Sequence, residues 1–291
     1  MDRASYLLGR QVEYPASHDP DLLHAVARSG NRDALGIPAA LFHGVDAWHA
    51  REAGFLTARG LPVTGVLKIV YPADSPFLVE SKSLKLYLNS LNMTPLGETP
   101  GEGIARFARL VREELSRALQ APVETCFFAE SPRDPLPFDF GDDYPSLEAQ
   151  DEAPLATFSD YRETPSLLLD DTRAGGDFRA CSHLLRSNCK ITGQPDWGSI
   201  YIRLKAPLLP SPLSLLRYIV SLRAENHFHE EVCEMIYKRL WDAFSPSALA
   251  VTCLYTRRGG IDICPSRASA PELLPPLLSN PRMLSRKTFR Q

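Results

Sequence analysis

The sequence predicts an α+β protein built from antiparallel strands and pairs of helices. Three observations lead there. Short stretches alternate apolar and polar residues as half-buried strands do, while longer ones repeat apolar residues at helical spacing. The order strand, strand, helix, helix, strand occupies the first half, and its grammar recurs in the second with little residue identity. A Pro- and acid-rich stretch without periodicity separates the two runs.

Taken in order, "GLPVTGVLKIVYPADSPFLVES" (60–81) reads as two strands around a Pro-Asp-Ser-Pro turn. From Ser81 the period changes: Leu84, Tyr87, Leu88 and Leu91 fall on one stripe of a helix. "GIARFARLVREELSRAL" (103–119) predicts a second helix, with Phe107, Leu110, Val111, Leu115 and Leu119 on one side. "PVETCFFAE" (122–130) returns to strand. The stretch 131–160, "SPRDPLPFDFGDDYPSLEAQDEAPLATFSD", reads as a linker or surface excursion. Beyond it, "SIYIRLKA" (199–206) alternates as a strand. "SPLSLLRYIVSLR" (211–223) opens a helix with Ser211 as N-cap and Pro212 at the first helical position. "NHFHEEVCEMIYKRLWDAF" (226–244) predicts another, with Val232, Met235, Ile236 and Leu240 as its stripe. "ALAVTCLYTRRGGIDIC" (248–264) closes as a hairpin whose turn carries Arg258, Gly259 and Gly260. The expected organisation is an N-terminal extension plus first module (1–135), a linker (136–160), and a second module with a C-terminal tail (161–291).

Composition narrows the function classes. A chain of 291 residues with 44% hydrophobic and 23% charged residues is ordinary for a globular protein with room for two modules. A net charge of -3 offers no basic footprint for duplex nucleic acid or an anionic membrane. The start "MDRASYLLGRQVEYP" lacks the apolar core of a signal peptide, and no apolar run reaches a membrane span, so a cytoplasmic location is expected. The 6 cysteines lack C-x-x-C pairs and are expected to be free thiols. Five have apolar or strand-like neighbours and read as small core residues.

Cys189 is the exception. It stands in "RSNCKITGQPDWGS" (186–199) among small polar residues, with turn-formers between it and Asp196. A thiol is a useful nucleophile only as thiolate, and Arg186 and Lys190 are candidates for lowering its pKa. The "TGQPDW" turn brings Asp196 back toward the sulfur as an acid or base, with its pKa raised if Trp197 desolvates it. A loop with a buried cysteine and a turn-capping aspartate would look the same. In "ESKSLKLYL" (80–88), Glu80 ends a strand, and free N–H groups of the helix start beside Ser81, Lys82 and Lys85 would suit a phosphate. A capped, solvated helix face is the plainer alternative. Glu80 is also placed to accept paired hydrogen bonds from a guanine-like edge. In "NHFHEEVCE", His227 and His229 point in different directions if helical, and His229 with Cys233 has a possible zinc spacing without a second ligand pair. His229 with Glu230 suits ligand recognition or proton handling better. In "YTRRGG", Arg258 and two glycines would let a phosphate approach closely, or form an ordinary surface turn. Neither G-x-G-x-x-G nor G-x-x-x-x-G-K-[ST] is present, so a dinucleotide would not be held in a Rossmann or P-loop manner.

In combination, "ESKSLKLYLNS", "SNCKITGQPDWGS", "FHEEVCEMI" and "YTRRGGIDI", with "NRDALGI" and "FHGVDAW" before them, resemble the NADPH-dependent 7-cyano-7-deazaguanine reductases (QueF) in their long, two-module form. The resemblance runs in order from about residue 31 to 264. It implies tandem tunnelling-fold (T-fold) modules, antiparallel sheets with helix pairs on the outer face, assembled as a homodimer. It implies reduction of a nitrile to a primary amine within queuosine biosynthesis, using two NADPH per turnover and no metal. It implies that Cys189 attacks the nitrile to give a thioimide and that Asp196 supplies the proton. Val79, Glu80, Ser81, His229 and Glu230 would hold the substrate. Ser81 with Lys82, and Arg258 with Gly259, would hold NADPH. Lys190 departs from the family pattern, in which an apolar residue or proline is expected after the cysteine. Two rival readings use the same residues: a cysteine hydrolase of a purine-like nitrile or amide, and a non-catalytic or zinc-dependent pterin- or purine-binding relative.

Overall fold

The structure, a computed structural model, describes residues 17–38, 40–129, 140 and 143–284. Ten strands and six helices carry the architecture: β1 (Ala25–Ala27), α1 (Ser29–Leu35), β2 (His43–Leu56), β3 (Pro62–Pro72), β4 (Phe77–Val79), α2 (Ser81–Leu91), α3 (Pro100–Leu119), β5 (Glu124–Phe128), β6 (Thr172–Cys189), β7 (Pro195–Pro210), α4 (Pro212–Ser221), β8 (Asn226–His227), α5 (His229–Phe244), β9 (Ala248–Tyr255), β10 (Ile261–Ala268) and α6 (Pro276–Ser279). Eight strands form one sheet in the order β5-β3-β2-β10-β9-β7-β6-β8, while β1 and β4 pair separately. The predicted α+β class and its antiparallel strands are therefore present, with one short parallel pairing of β6 and β8.

The helical stripes do what their spacing requires. Leu84, Tyr87, Leu88 and Leu91 of α2 are buried with Phe107, Val111, Leu115 and Leu119 of α3 against β2 and β3. Val232, Met235, Ile236 and Leu240 of α5 are buried with Leu215, Leu216 and Ile219 of α4 against β6, β7 and β9. Each half of the sheet thus has its own helix pair and core. Ser211 caps α4 as its side-chain oxygen accepts from the Ser214 N–H, with Pro212 following.

Four features differ from the sequence reading. The strand after the Pro-Asp-Ser-Pro turn does not return along β3; β4 pairs with β1 from the N-terminal segment. The 14-residue β2 lies in the middle of the sheet, although its run of mostly buried residues, small and charged ones included, hides the alternation of a half-buried strand. The described part of the 131–160 stretch is not merely a linker: the Cys181 N–H donates to the Pro145 carbonyl, and Leu147 enters the second core. His227 lies on strand β8, not on a helix.

One join decides where a site can form. β10 pairs with β2 along its whole length, from Ile261↔Ala50 to Ala268↔His43. It pairs with β9 only at Ser266–Ala268. The β9–β10 hairpin is therefore closed at its base and splayed at its tip, opening a cleft between the halves. Below the cleft, Arg267 and Arg28 share the Asp46 carboxylate, and Arg267 and Arg32 share that of Glu234. These groups tie α1, β2, β10 and α5 together out of water.

A second tie holds the C-terminal segment. Lys68 of β3 is fully buried, and its Nζ donates to the carbonyls of Leu277, Asn280 and Met283 at 2.5, 2.8 and 2.9 Å. Lys68→Met is expected to destabilise the protein by about 3 kcal/mol, because three carbonyls lose a charged donor. Urea denaturation measures this, and amide exchange across 276–284 should accelerate with it. Unchanged exchange there would show that other contacts hold the segment.

Candidate active site

The hairpin that carries the candidate residues Cys189 and Asp196 is β6–β7. Its turn is closed by the Cys189 N–H donating to the Gln194 carbonyl and the Gly193 N–H donating to the Cys189 carbonyl, with Gly193 at φ 66°. Ser187 pairs with Asp196 across the strands, so Asp196 and Cys189, two residues beyond Ser187, share one sheet face. The opposite face carries Arg186 and Trp197, which are themselves paired.

That alternation corrects two expectations about charge. Trp197 does not desolvate Asp196. It is 47% exposed, and the guanidinium groups of Arg186 and Arg223 lie over its ring, at 5.5 and 5.3 Å from the centroid. Nor do Arg186 and Lys190 serve the thiol, since Arg186 is on the other face and Lys190 Nζ donates to Glu231 Oε1 at 2.8 Å. Asp196 is only 3% exposed. Burial pushes its carboxyl up, but the His229 imidazole and then the Arg258 guanidinium outweigh this and hold it below the usual carboxylate range. Asp196 is thus a carboxylate at rest. His229 Nε2 lies 3.3 Å from one carboxylate oxygen, and Arg258 donates to the other. Arg258 also donates to Gln194 Oε1 at 2.6 Å.

Two helix starts face each other across the cleft. At α2, both oxygens of Glu80 are engaged: the Lys82 N–H donates to Oε1 at 3.0 Å and the Ser83 N–H to Oε2 at 2.7 Å. These N–H groups are therefore not open to a phosphate, contrary to the sequence reading. The cap instead fixes the buried carboxylate at the pocket wall. At α5, the Phe228 N–H donates to Glu231 Oε2, His229 packs on Tyr255 with ring centroids 4.0 Å apart, and Glu230 turns inward. Glu230 is 2% exposed and its Oε1 makes no hydrogen bond. Burial, then the nearby Asp46 carboxylate, raise its pKa to about 8 against the pull of Arg28 and Arg267.

An acid with a raised folded pKa costs stability only where the folded protein would rather keep its proton. That cost is absent below the ordinary value near 4.5 and complete above about 8. Glu230→Gln is therefore expected to match wild type at about pH 4 and exceed it by on the order of 5 kcal/mol at about pH 9. Guanidinium unfolding at both pH values tests this; a gap independent of pH would mean that Glu230 does not titrate as described.

All ten residues expected to form a site line one cavity of about 260 Å³: Val79, Glu80, Ser81 and Lys82 from one wall, Cys189 and Asp196 from the hairpin, His229 and Glu230 from α5, Arg258 and Gly259 from the β9–β10 turn. Lys85, already a candidate anion-binding cation, lines it too, whereas the sequence reading missed further lining groups, among them Trp48, Ile191, Phe228 and Ile263. Trp48 and Ile263 pair across β2 and β10, and no local pattern announces that. Gly259 has φ 56°, and Lys85 Nζ comes within 2.5 Å of where a β-carbon would stand, so the turn and α2 meet at the cavity mouth. His229 and Cys233 do not converge: Cys233 is fully buried beneath α5 with its thiol toward the Val251 carbonyl. Among the described residues, no group of three or more His, Cys, Asp or Glu is arranged to hold a metal ion.

A thiol and a carboxylate on one sheet face, an imidazole against the carboxylate and cations at the mouth make this the candidate active site of an enzyme for a small polar substrate. The comparisons are narrower. Residues 14–127 match the family model described as "Nitrile reductase, 7-cyano-7-deazaguanine-reductase N-term", and residues 195–272 match "QueF-like protein". The chain is 40% identical over 263 residues to the NADPH-dependent 7-cyano-7-deazaguanine reductase of Acinetobacter baumannii (strain AYE), covering 90% of this chain and 93% of that one. It is 40% identical over 267 residues to the Chromobacterium violaceum enzyme of that name (90% and 91% covered) and 37% identical over 280 residues to that of Psychrobacter arcticus (92% and 95% covered). The chain belongs to the 7-cyano-7-deazaguanine reductase family.

Proposed function

We propose that this protein reduces the nitrile of 7-cyano-7-deazaguanine to the primary amine with NADPH, a step of queuosine biosynthesis, through a thioimide on Cys189. The observation that carries the mechanism is the shared sheet face of Cys189 and Asp196 within one cavity. The Cys189 sulfur bonds to the nitrile carbon, one carbon–nitrogen π bond breaks, and the nitrogen takes a proton. Asp196, ionised at rest, accepts the thiol proton and passes it to that nitrogen, with His229 beside it. Glu230 and Glu80 supply acceptors for the guanine-like edge of the base; Val79 and Ser81 complete that wall.

The cavity mouth fits a phosphate-bearing hydride donor, because Lys82, Lys85 and Arg258 surround a glycine turn with positive φ. NADPH, when bound, supplies hydride, and two are needed for four electrons. The walls that exclude water then protect the imine from hydrolysis.

The same reading takes the chain as two tunnelling-fold modules. Hairpin, helix pair and strand recur in each half, and β2 and β6 carry register shifts at Ala50/Ala53 and Ser182/Leu185. The open sheet ends at β5 on one side, and a second copy in a homodimer would close it into a barrel. No described helix is long and apolar enough to cross a membrane.

Counting NADPH oxidised per amine formed tests the activity. Two per amine is expected. An acid or amide product without NADPH oxidation would favour the hydrolase.

A further inference from the structure

The turn that follows Cys189 is fastened to the helix across from it. Lys190 Nζ donates to Glu231 Oε1 at 2.8 Å and lies 5.4 Å from the centroid of the Phe228 ring. The other oxygen of Glu231 accepts from the Phe228 N–H at 3.0 Å and lies 3.4 Å from His227 Nδ1. One carboxylate is therefore shared between the start of α5 and the β6–β7 turn. Its side chain is 6% exposed and that of Lys190 41%. Burial pushes the Glu231 carboxyl up, but His227, Lys190 and the Phe228 N–H outweigh this and hold it below the usual carboxylate range.

We propose that Lys190 is a positioning residue which, acting through Glu231, clamps two walls of the cavity at the spacing that 7-cyano-7-deazaguanine needs, and so sets the affinity for that substrate. This deepens the reading of the site as a nitrile reductase and rests on it.

The cavity lining takes Cys189, Ile191 and Thr192 from one wall and His227 to Glu230 from the other, and leaves out both Lys190 and Glu231. Neither is placed to touch the substrate. The backbone joins these walls only briefly: β8 is two residues long and pairs Asn226 with Asn188 and His227 with Cys189. Beyond Cys189 the chain turns toward β7, with Gly193 at φ 66°, and that ladder no longer holds it. The Lys190–Glu231 bond is the next link along. Without it, a ligand has to order Ile191, Thr192 and the Phe228 ring for itself, and that ordering weakens binding. The reacting groups are held by other contacts. The Cys189 N–H donates to the Gln194 carbonyl, and Asp196 is flanked by His229 and Arg258. Loss of Lys190 therefore acts on affinity and spares bond making.

The test is calorimetric titration of 7-cyano-7-deazaguanine into Cys189→Ala, which forms no covalent bond, with and without Lys190→Met. Because Lys190 is partly screened by solvent, the expected weakening is about fivefold. In the enzyme that keeps Cys189, KM for the nitrile should rise to match, while kcat and KM for NADPH stay within about twofold. Lys190→Arg, which keeps a donor for Glu231, should restore the affinity. In a Glu231→Gln background, Lys190→Met should cost little more, since the two act as one link. Unchanged affinity in Lys190→Met overturns the inference. So does a kcat that falls as far as the affinity, which would make Lys190 a plain structural support. A rise confined to KM for NADPH would make it a phosphate ligand instead and also overturns it, as would fully additive losses at Lys190 and Glu231. If Cys189→Ala itself binds no 7-cyano-7-deazaguanine, the reductase reading of the site fails and takes this one with it.

Discussion

Mixed with 7-cyano-7-deazaguanine in the absence of NADPH, the wild-type protein is expected to gain the full mass of the ligand, and Cys189→Ala to gain nothing. Adding a thiol across a nitrile expels no atom, so the whole ligand mass is diagnostic of addition, whereas acyl transfer would retain only part of it. The residue is placed for this. Cys189 ends β6, lines the cavity and shares a sheet face with Asp196. Cys181, Cys233, Cys253 and Cys264 are buried in the sheet and cores, so an adduct at those sites would require unfolding. Turnover in Cys189→Ala should fall by at least about 10⁴-fold, the scale seen when a nucleophile is removed. A ligand-mass gain that survives the substitution would place the nucleophile elsewhere. Bound ligand without adduct in wild type would put a non-covalent reading first.

Arg267→Met should have the largest effect on stability. The side chain is fully buried and donates to Asp46 Oδ1 at 2.8 Å, Glu234 Oε1 at 2.9 Å and the Val45 carbonyl at 3.1 Å. Burial alone would lower the affinity of its guanidinium for the proton, but Asp46 and Glu234 reverse that and keep it charged. Removing one partner of a buried ion pair strands the carboxylates it served, at a cost of about 3–5 kcal/mol. For a chain of this size that is a fall in melting temperature of roughly 6–15 °C. The exposed Arg203–Asp177 pair is the internal comparison, since its loss should cost no more than about 1 kcal/mol. Equal losses at Arg267 and Arg203 would mean that the buried network contributes nothing special.

Much of the fold was legible because its signals are local. The stripes of α2, α3 and α5 came from spacing, the α4 cap from Ser-Pro, and the Cys189–Asp196 approach from the turn-formers between them. The first sixty residues were not legible. β2 is buried along most of its length and so lacks a clean alternation. Arg28, Arg32 and Asp46 look like ordinary surface charges until partners from residues 234 and 267 surround them. The electrostatics of Asp196 were misread for a similar reason. Its neighbour in sequence, Trp197, points to the other face, while His229 and Arg258, which set its state, are more than thirty residues away.

By itself, the sequence determined the element types, the family resemblance and which side chains were candidates for chemistry, because periodicity, capping and motif spacing act within a few residues. Tertiary structure alone decided that β9 and β10 splay to open a cleft, that the helix start at α2 is occupied by Glu80, and that Arg258 rests on Asp196. Those outcomes depend on burial and on charges brought together from distant segments. Their energies exist only once the chain has closed around them.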